Sequence, residues 1–174
     1  PTRFKWSQWN GGLACRGRFD ATVNPPRVTL DAGRPSVVNS GLTEFYVEAL
    51  QYDPSVGTWR VAYATTATLT IDHQLQLATP PAFGALPSTT APVFLRLGNG
   101  VGESGDFTSA SNSAELRDGI RLVFDTAAAA AYRAQDYWTF KVRAGEIANP
   151  QVLVDHAPPD GIVYHRVPLA EITW

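Results

Sequence analysis

Fourteen glycines and thirteen prolines divide this chain of 174 residues into short segments, which leaves little room for helices of ordinary length. Proline removes a backbone donor and glycine opens left-handed turns, so both mark places where a strand stops and the chain reverses. Between these breaks apolar and polar residues alternate with the period of a strand. In residues 2–6, Phe4 and Trp6 fall on one face, with Arg3 and Lys5 on the other. Asn10-Gly11-Gly12 then turns the chain. Residues 13–23 and 27–31 each supply a strand, separated by the extended corner Pro25-Pro26. The clearest hairpin joins 44–51 to 58–63 through Asp53-Pro54-Ser55-Val56-Gly57. Both its faces carry apolar groups, which predicts cover on two sides or a neighbouring chain.

A further alternating run spans 67–77 and places Leu69, Ile71 and His73 on one face. Residues 93–97 form a short strand that is apolar on both faces. Residues 98–114, rich in Gly, Ser and Asn, are expected as an exposed loop. Strands follow at 120–124, with Ile120, Leu122 and Phe124 together, and at 137–143, with Trp138 as a core anchor. Short pieces at 152–154, 162–164 and 167–172 complete the set. The helix-favouring run 127–131 is too short to nucleate alone and is read as one or two turns. About 8 to 11 short strands without helical periodicity predict an all-β antiparallel sandwich or barrel, folded as one domain over 1–174. No repeat of about 20 to 50 residues argues for a propeller or solenoid.

Composition narrows the function. Hydrophobic residues at 44% and aromatics at 11% exclude intrinsic disorder, and charged residues at 17% fall below the roughly 25% of an average domain. Extra buried or subunit-facing surface is the consequence. A net charge of -2 with arginines scattered from Arg3 to Arg166 offers no stripe for phosphates, so nucleic acid is excluded as a partner. The one cysteine, Cys15, has no partner for a disulfide or a CxxC zinc site and reads as a buried thiol. No run approaches about 18 apolar residues, which excludes a membrane-spanning helix, and the start has no apolar signal segment. The absence of an initiator Met and the abrupt end at Thr173-Trp174 read as a piece of a longer protein.

The most specific lettering lies toward the ends. It comprises Phe4-Lys5-Trp6-Ser7-Gln8-Trp9-Asn10-Gly11, then Asp118-Gly119-Ile120-Arg121-Leu122-Val123-Phe124, then Tyr132 ahead of Asp136-Tyr137-Trp138. Pro158-Pro159-Asp160-Gly161-Ile162-Val163-Tyr164-His165 and Pro168-Leu169-Ala170-Glu171-Ile172 complete it. Rings beside Gly, Pro and Asn suit strand corners, where the ring fills the core and the small or rigid residue sets the turn. In this order the strings resemble the C-terminal half of a bacterial family known as domain of unknown function 6519. The resemblance implies a setting in phage-tail-like or contractile injection particles and brings no assigned reaction. It also implies that 41–80, longer here than in the family, holds a variable hairpin insertion.

Residues for several chemistries are present, each short of a complete set. Gly100-Val101-Gly102-Glu103-Ser104-Gly105 matches a phosphate-cradle spacing but lacks the helix that must follow it. Gly102-Glu103-Ser104-Gly105 looks like a serine-protease nucleophile loop, yet His73 sits in the wrong string to serve as its base. His73, His156 and His165 have no ligand spacing and read as structural. Asn99, Glu103 and Asp106 offer hard oxygens to Ca²⁺ without the spacing of a calcium repeat. Asp118, Asp136 and Glu171 are the carboxylates a glycosidase would need, with nothing that ties them together. No catalytic, cofactor-binding or metal-binding residue is therefore assigned.

What remains is a non-enzymatic structural or interaction module of such a particle, with Tyr46, Trp59, Trp9, Asn99, Glu103 and Asp106 as surface contacts. Its partners would be other protein subunits or a surface glycan. A carbohydrate-binding or adhesive module is the alternative, and a glycoside hydrolase a further one. A shallow aromatic strip favours sugar, a flat apolar patch favours assembly, and two carboxylates in a cleft favour hydrolysis.

Overall fold

The computed structural model describes residues 3–88, 92–107, 115–117, 120–124, 132, 136–141, 157 and 159–160. The chain divides into two compact units, Arg3–Ser104 and Gly105–Trp174. The first is built around a closed, six-stranded antiparallel β-barrel. In chain order its elements are β1 (Arg3–Trp6), β2 (Leu13–Asp20), β3 (Arg27–Leu30) and the single short helix of the described residues, α1 (Arg34–Val38). Then come β4 (Glu44–Asp53), β5 (Thr58–Leu69), β6 (Gln74–Leu77), β7 (Phe83–Gly84), β8 (Val93–Gly98) and β9 (Gly100–Glu103).

The ring runs β2-β3-β6-β5-β4-β8 and returns to β2, with β4 to β5 and β8 to β2 both hydrogen-bonded. Closure leaves none of the six strands with a full-length open edge, which removes the template for aggregation that an open sheet presents. β7 pairs with β5 at Tyr63 and Ala64, on the edge that β6 takes at Ala67–Leu69, and β1 pairs with β9 as a two-stranded ribbon. Residues 41–80 supply β4, β5 and β6, half of the barrel.

Alternation decides the interior. Cys15 from β2, Val28 and Leu30 from β3, Phe45, Val47 and Ala49 from β4, Leu75 and Leu77 from β6, and Leu95 and Leu97 from β8 are all buried in one cluster. Tyr63 of β5 joins them and takes the ring of Phe19 edge-on at 5.8 Å. Buried Thr65 satisfies its hydroxyl by donating to Ala78 O at 2.9 Å. The helix α1, which the sequence reading missed, carries Pro in its first turn after left-handed Gly33 and buries Val37 in the same core. That Gly-Arg-Pro start was the legible mark of it.

Two readings of this unit need correction. The run 67–77 is not one strand: β5 and β6 pair Ala67 with Leu77 and Leu69 with Leu75, so the chain must reverse between them. Ile71 is consequently 94% exposed, and His73 takes a left-handed φ of 59°. The turn is held by Thr70, whose N–H donates to Gln74 O at 2.8 Å while its Oγ1 accepts from Gln74 N at 3.1 Å. The expected loop from 98 begins as β9, because Gly100–Glu103 finds an edge on β1 in the register Trp6 to Gly100 and Arg3 to Glu103. Residues 108–114 of that loop lie outside the described residues.

In the second unit β10 (Glu115–Arg117) pairs antiparallel with β11 (Ile120–Arg121). The strand expected over 120–124 is limited to Ile120–Arg121, and residues 122–124 form none, although Ile120, Leu122 and Phe124 are each more covered than Arg121 and Val123, as their alternation predicts. Residues 137–141 form no strand, contrary to expectation, and Phe140 is exposed. Their backbone is tied by side chains and a turn: Asp160 Oδ2 accepts from Thr139 N at 2.8 Å and Oγ1 at 3.0 Å, and Asp160 N donates to Tyr137 O. Trp138 Nε1 donates to Ala157 O at 3.0 Å, and its ring continues an edge-to-face series through Tyr132 and Phe124 to Phe107. Two of the aromatic strings thus meet and brace each other. The expected helix at 127–131 and the strands at 152–154, 162–164 and 167–172 lie outside the described residues, as do His156 and His165.

Burial has a consequence in alkali. It pushes the Cys15 thiol from 9.0 up to about 12 and raises the phenols of Tyr63 and Tyr46, each held as the neutral acid in the fold. The unfolded chain ionises first, so this contribution is complete below the unfolded thiol pKa and is lost as pH rises toward about 12. We expect the urea midpoint to fall steadily above about pH 9, with Cys15→Ala flattening the first part of that fall. A midpoint that holds constant from about pH 8 to pH 11 contradicts it.

Candidate functional site

The hairpin of β4 and β5 outruns its neighbours. β8 accompanies β4 only from Tyr46 to Leu50, and the partners of β5 begin at Tyr63, so residues 51–62 form a two-stranded arm. Its tip is set by Asp53, whose Oδ1 accepts from Ser55 N at 3.0 Å, and by Gly57 at a φ of 65°. A β-bulge lies at the root, where Ala49 faces Tyr63 but Leu50 faces Val61. Ala62 is the extra residue, and it shifts β5 by one position relative to β4. Without that shift Trp59 would share the inward phase of Tyr63 and Thr65. With it, Trp59 stands opposite Tyr52 on the outer face.

Three rings therefore line up on the outside of the barrel. Tyr52 and Trp59 have centroids 5.6 Å apart at 58°, and Trp59 and Phe94 of β8 lie 5.1 Å apart at 77°. Each is about half exposed, Tyr52 at 48%, Trp59 at 51% and Phe94 at 48%. Leu50 pairs with Phe94 across β4 and β8, and Arg16 of β2 lays its guanidinium 5.9 Å from the Phe94 ring centre. One rung along, Glu48 pairs with Arg96 and is nearly buried, with Arg96 Nε at 2.7 Å from its Oε2 and Lys5 Nζ at 2.7 Å from its Oε1. This three-charge cluster fastens the β1 ribbon to the barrel beside the aromatic face.

A second feature, a groove of about 560 Å³, brings Tyr46 and Asn99 together with Thr66, Thr68 and Gln76. Its lining mixes amide, hydroxyl and aromatic groups with aliphatic ones from Pro25, Ala67, Leu77, Ala78 and Val101, with Glu44 as the single carboxylate among its described residues. Asn99 is committed: its Oδ1 accepts from Gln8 N at 2.9 Å and its N–H donates to Trp6 O at 2.9 Å. Its side-chain Nδ2 is buried with no hydrogen-bond partner among the described residues.

The remaining expected contacts are dispersed. Trp9 is half-buried and packs on the barrel core. Glu103 lies 3.6 Å from Arg3 in an exposed pair, and Asp106 is exposed in a 3₁₀ turn, Ser104–Asp106. Among the described residues no three His, Cys, Asp or Glu side chains gather as metal ligands, and no helix is long and apolar enough to cross a membrane. Of the glycosidase carboxylates, Asp118 and Glu171 lie outside the described residues. The sequence reading named Trp59 but missed Tyr52, Phe94 and Arg16. The legible mark was β8 itself, apolar on both faces, since a strand in a closed barrel needs only one.

No protein-family model, curated protein or solved structure matches the chain.

Proposed function

We propose that this chain is a non-enzymatic interaction module that docks on a protein neighbour through the Tyr52, Trp59 and Phe94 face, as a component of a bacterial phage-tail-like or contractile injection particle. The particle setting is supported by the resemblance of the aromatic strings to domain of unknown function 6519. The observation that carries the docking reading is the exposed three-ring face formed by Tyr52 and Trp59 of the projecting arm with Phe94 of the barrel wall. Large apolar side chains left half in water at adjacent positions are costly unless a partner covers them, and Trp, Tyr and Arg are the residues that dominate the energy of protein interfaces. Tyr52 is tilted at 58° to Trp59, and Trp59 meets Phe94 edge to face at 77°, which makes a ridge for a partner's pocket more than a coplanar platform.

The test is co-purification of the chain from its source cell beside a Trp59→Ser, Phe94→Ser variant. Capture of sheath, tube or baseplate subunits by the parent, reduced at least about tenfold in the variant, is the expected result. Equal capture by both removes the face from the interaction, and capture of no such subunit removes the particle.

One observation favours a second reading. The half-exposed indole of Trp59 can stack on a sugar ring without any catalytic group, which is the chemistry of a carbohydrate-binding module. Saturable binding on a glycan array, abolished by Trp59→Ser, would select it.

A further inference from the structure

Building on the docking reading, we infer that the partner presents an acidic residue beside an apolar side chain, received by Arg16 and the shallow depression next to Phe94. The charges of the barrel unit point to this. Arg3 faces Glu103, Lys5 and Arg96 share Glu48, Arg18 faces Asp31 and Arg60 faces Asp53. Arg27 reaches Gln74 and Arg34 reaches His73 in place of a carboxylate, and on the aromatic face Arg16 alone, among the described residues, has no carboxylate within ion-pair distance. It is nevertheless held in place: its N–H donates to Ala32 O at 2.9 Å, its carbonyl accepts from Asp31 N at 2.8 Å, and its guanidinium rests on Phe94. A guanidinium positioned on an exposed ring keeps its fork of donors for a carboxylate.

The depression beside it sets the size of what accompanies that acid. It measures about 190 Å³ and is lined by Ala14, Cys15, Arg16, Ala32, Gly33 and Phe94. Gly33 lies close against β2 there, where an added Cβ would come within 2.7 Å of Ala14 O and of Cys15 Cβ. Small-molecule and cofactor sites run from about 300 to 1,000 Å³, so this one suits a single apolar side chain. Carboxylate and side chain together describe a short acidic-apolar segment of a protein.

The experiment is selection of a displayed random dodecapeptide library on the immobilised chain, on Arg16→Gln and on Trp59→Ser, at low and moderate salt. Because Arg16 is exposed, Arg16→Gln keeps the fold, which circular dichroism verifies. The expected outcome is enrichment of peptides with Asp or Glu next to a large apolar residue. Arg16→Gln should bind them about fivefold more weakly, near the upper end for an exposed ion pair, and with less response to salt. Enriched peptides without acidic residues, indifferent to Arg16→Gln but lost with Trp59→Ser, overturn the acidic assignment and leave the docking reading standing. No enrichment, or enrichment indifferent to both substitutions, overturns both. Binding of tetragalacturonate in place of peptides, lost with Arg16→Gln, transfers Arg16 to an acidic glycan and ends the peptide assignment.

Discussion

Gly17→Val unfolds the barrel at temperatures where the parent chain is still native. Gly17 stands in the middle of β2, between Leu30 of β3 and Val93 of β8 in register, with the hydrogen in its side-chain position toward buried Val28 and Leu95. An added Cβ there would lie 2.5 Å from Val28 Cγ1, 3.0 Å from Thr29 O and 3.1 Å from Leu95 Cδ1. Val28 and Leu95 are buried at 0% and 1% exposure, and they sit on strands locked into a closed ring. Neither side chain nor backbone can retreat, so the strain should exceed the usual range of about 1–3 kcal/mol for overpacking. For a barrel of about 100 residues, a loss of more than about 3 kcal/mol lowers the melting temperature by roughly 12 °C or more. The companion variant Gly17→Ala, Val28→Ala removes the methyl that collides and should be more stable than Gly17→Ala alone. An unchanged melting temperature for Gly17→Val, followed by circular dichroism, would show that β2 does not pass this close to its neighbours.

Glu48→Ala should cost about 3 kcal/mol, the low end for breaking a buried ion pair. The Glu48 side chain is 7% exposed and accepts from Lys5 at 2.7 and 2.9 Å and from Arg96 at 2.7 Å. Removing it leaves two cations with no anion between them. Their side chains are 47% and 37% exposed, so they can turn partly to water, and for that reason the low end applies. Because Lys5 belongs to β1 and Glu48 to the barrel wall, the damage has a place: amides of the β1 and β9 ribbon should exchange faster before those of the barrel do. Replacing all three charges by Leu and Met of similar volume should recover most of the loss, since the ions then have no desolvation cost to offset. A shift in urea midpoint worth less than about 0.5 kcal/mol for Glu48→Ala would place this cluster with ordinary surface pairs. The experiment also assigns a physical task to the lysine of the Phe4-Lys5-Trp6-Ser7 string.

These two sites differ in how far they could be read in advance. Gly17 is one glycine among fourteen, and only the approach of Val28 and Leu95 makes it intolerant of a side chain. Lys5 was visible as one of two lysines, but Glu48 and Arg96 are more than forty residues away, so no local pattern connects them. The candidate face is intermediate. Trp59 and the two-sided apolarity of Val93-Phe94-Leu95-Arg96-Leu97 were legible, whereas the meeting of Trp59 with Phe94 depends on β4 standing between their strands.

By itself the sequence determined that this protein is all-β, where its main hairpin turns, and which residues of β1 share a face. Period-two alternation and turn chemistry act over a few residues, and those properties are local. Only the tertiary structure decided that six strands close into a ring, that Leu69 and Leu75 flank a reversal, and that a single bulged residue carries Trp59 to the outside. Closure rests on pairings such as Cys15 with Leu95, far apart in the chain. Alternation gives each strand a face, but its partner and register come from which buried surfaces fit once all strands are present.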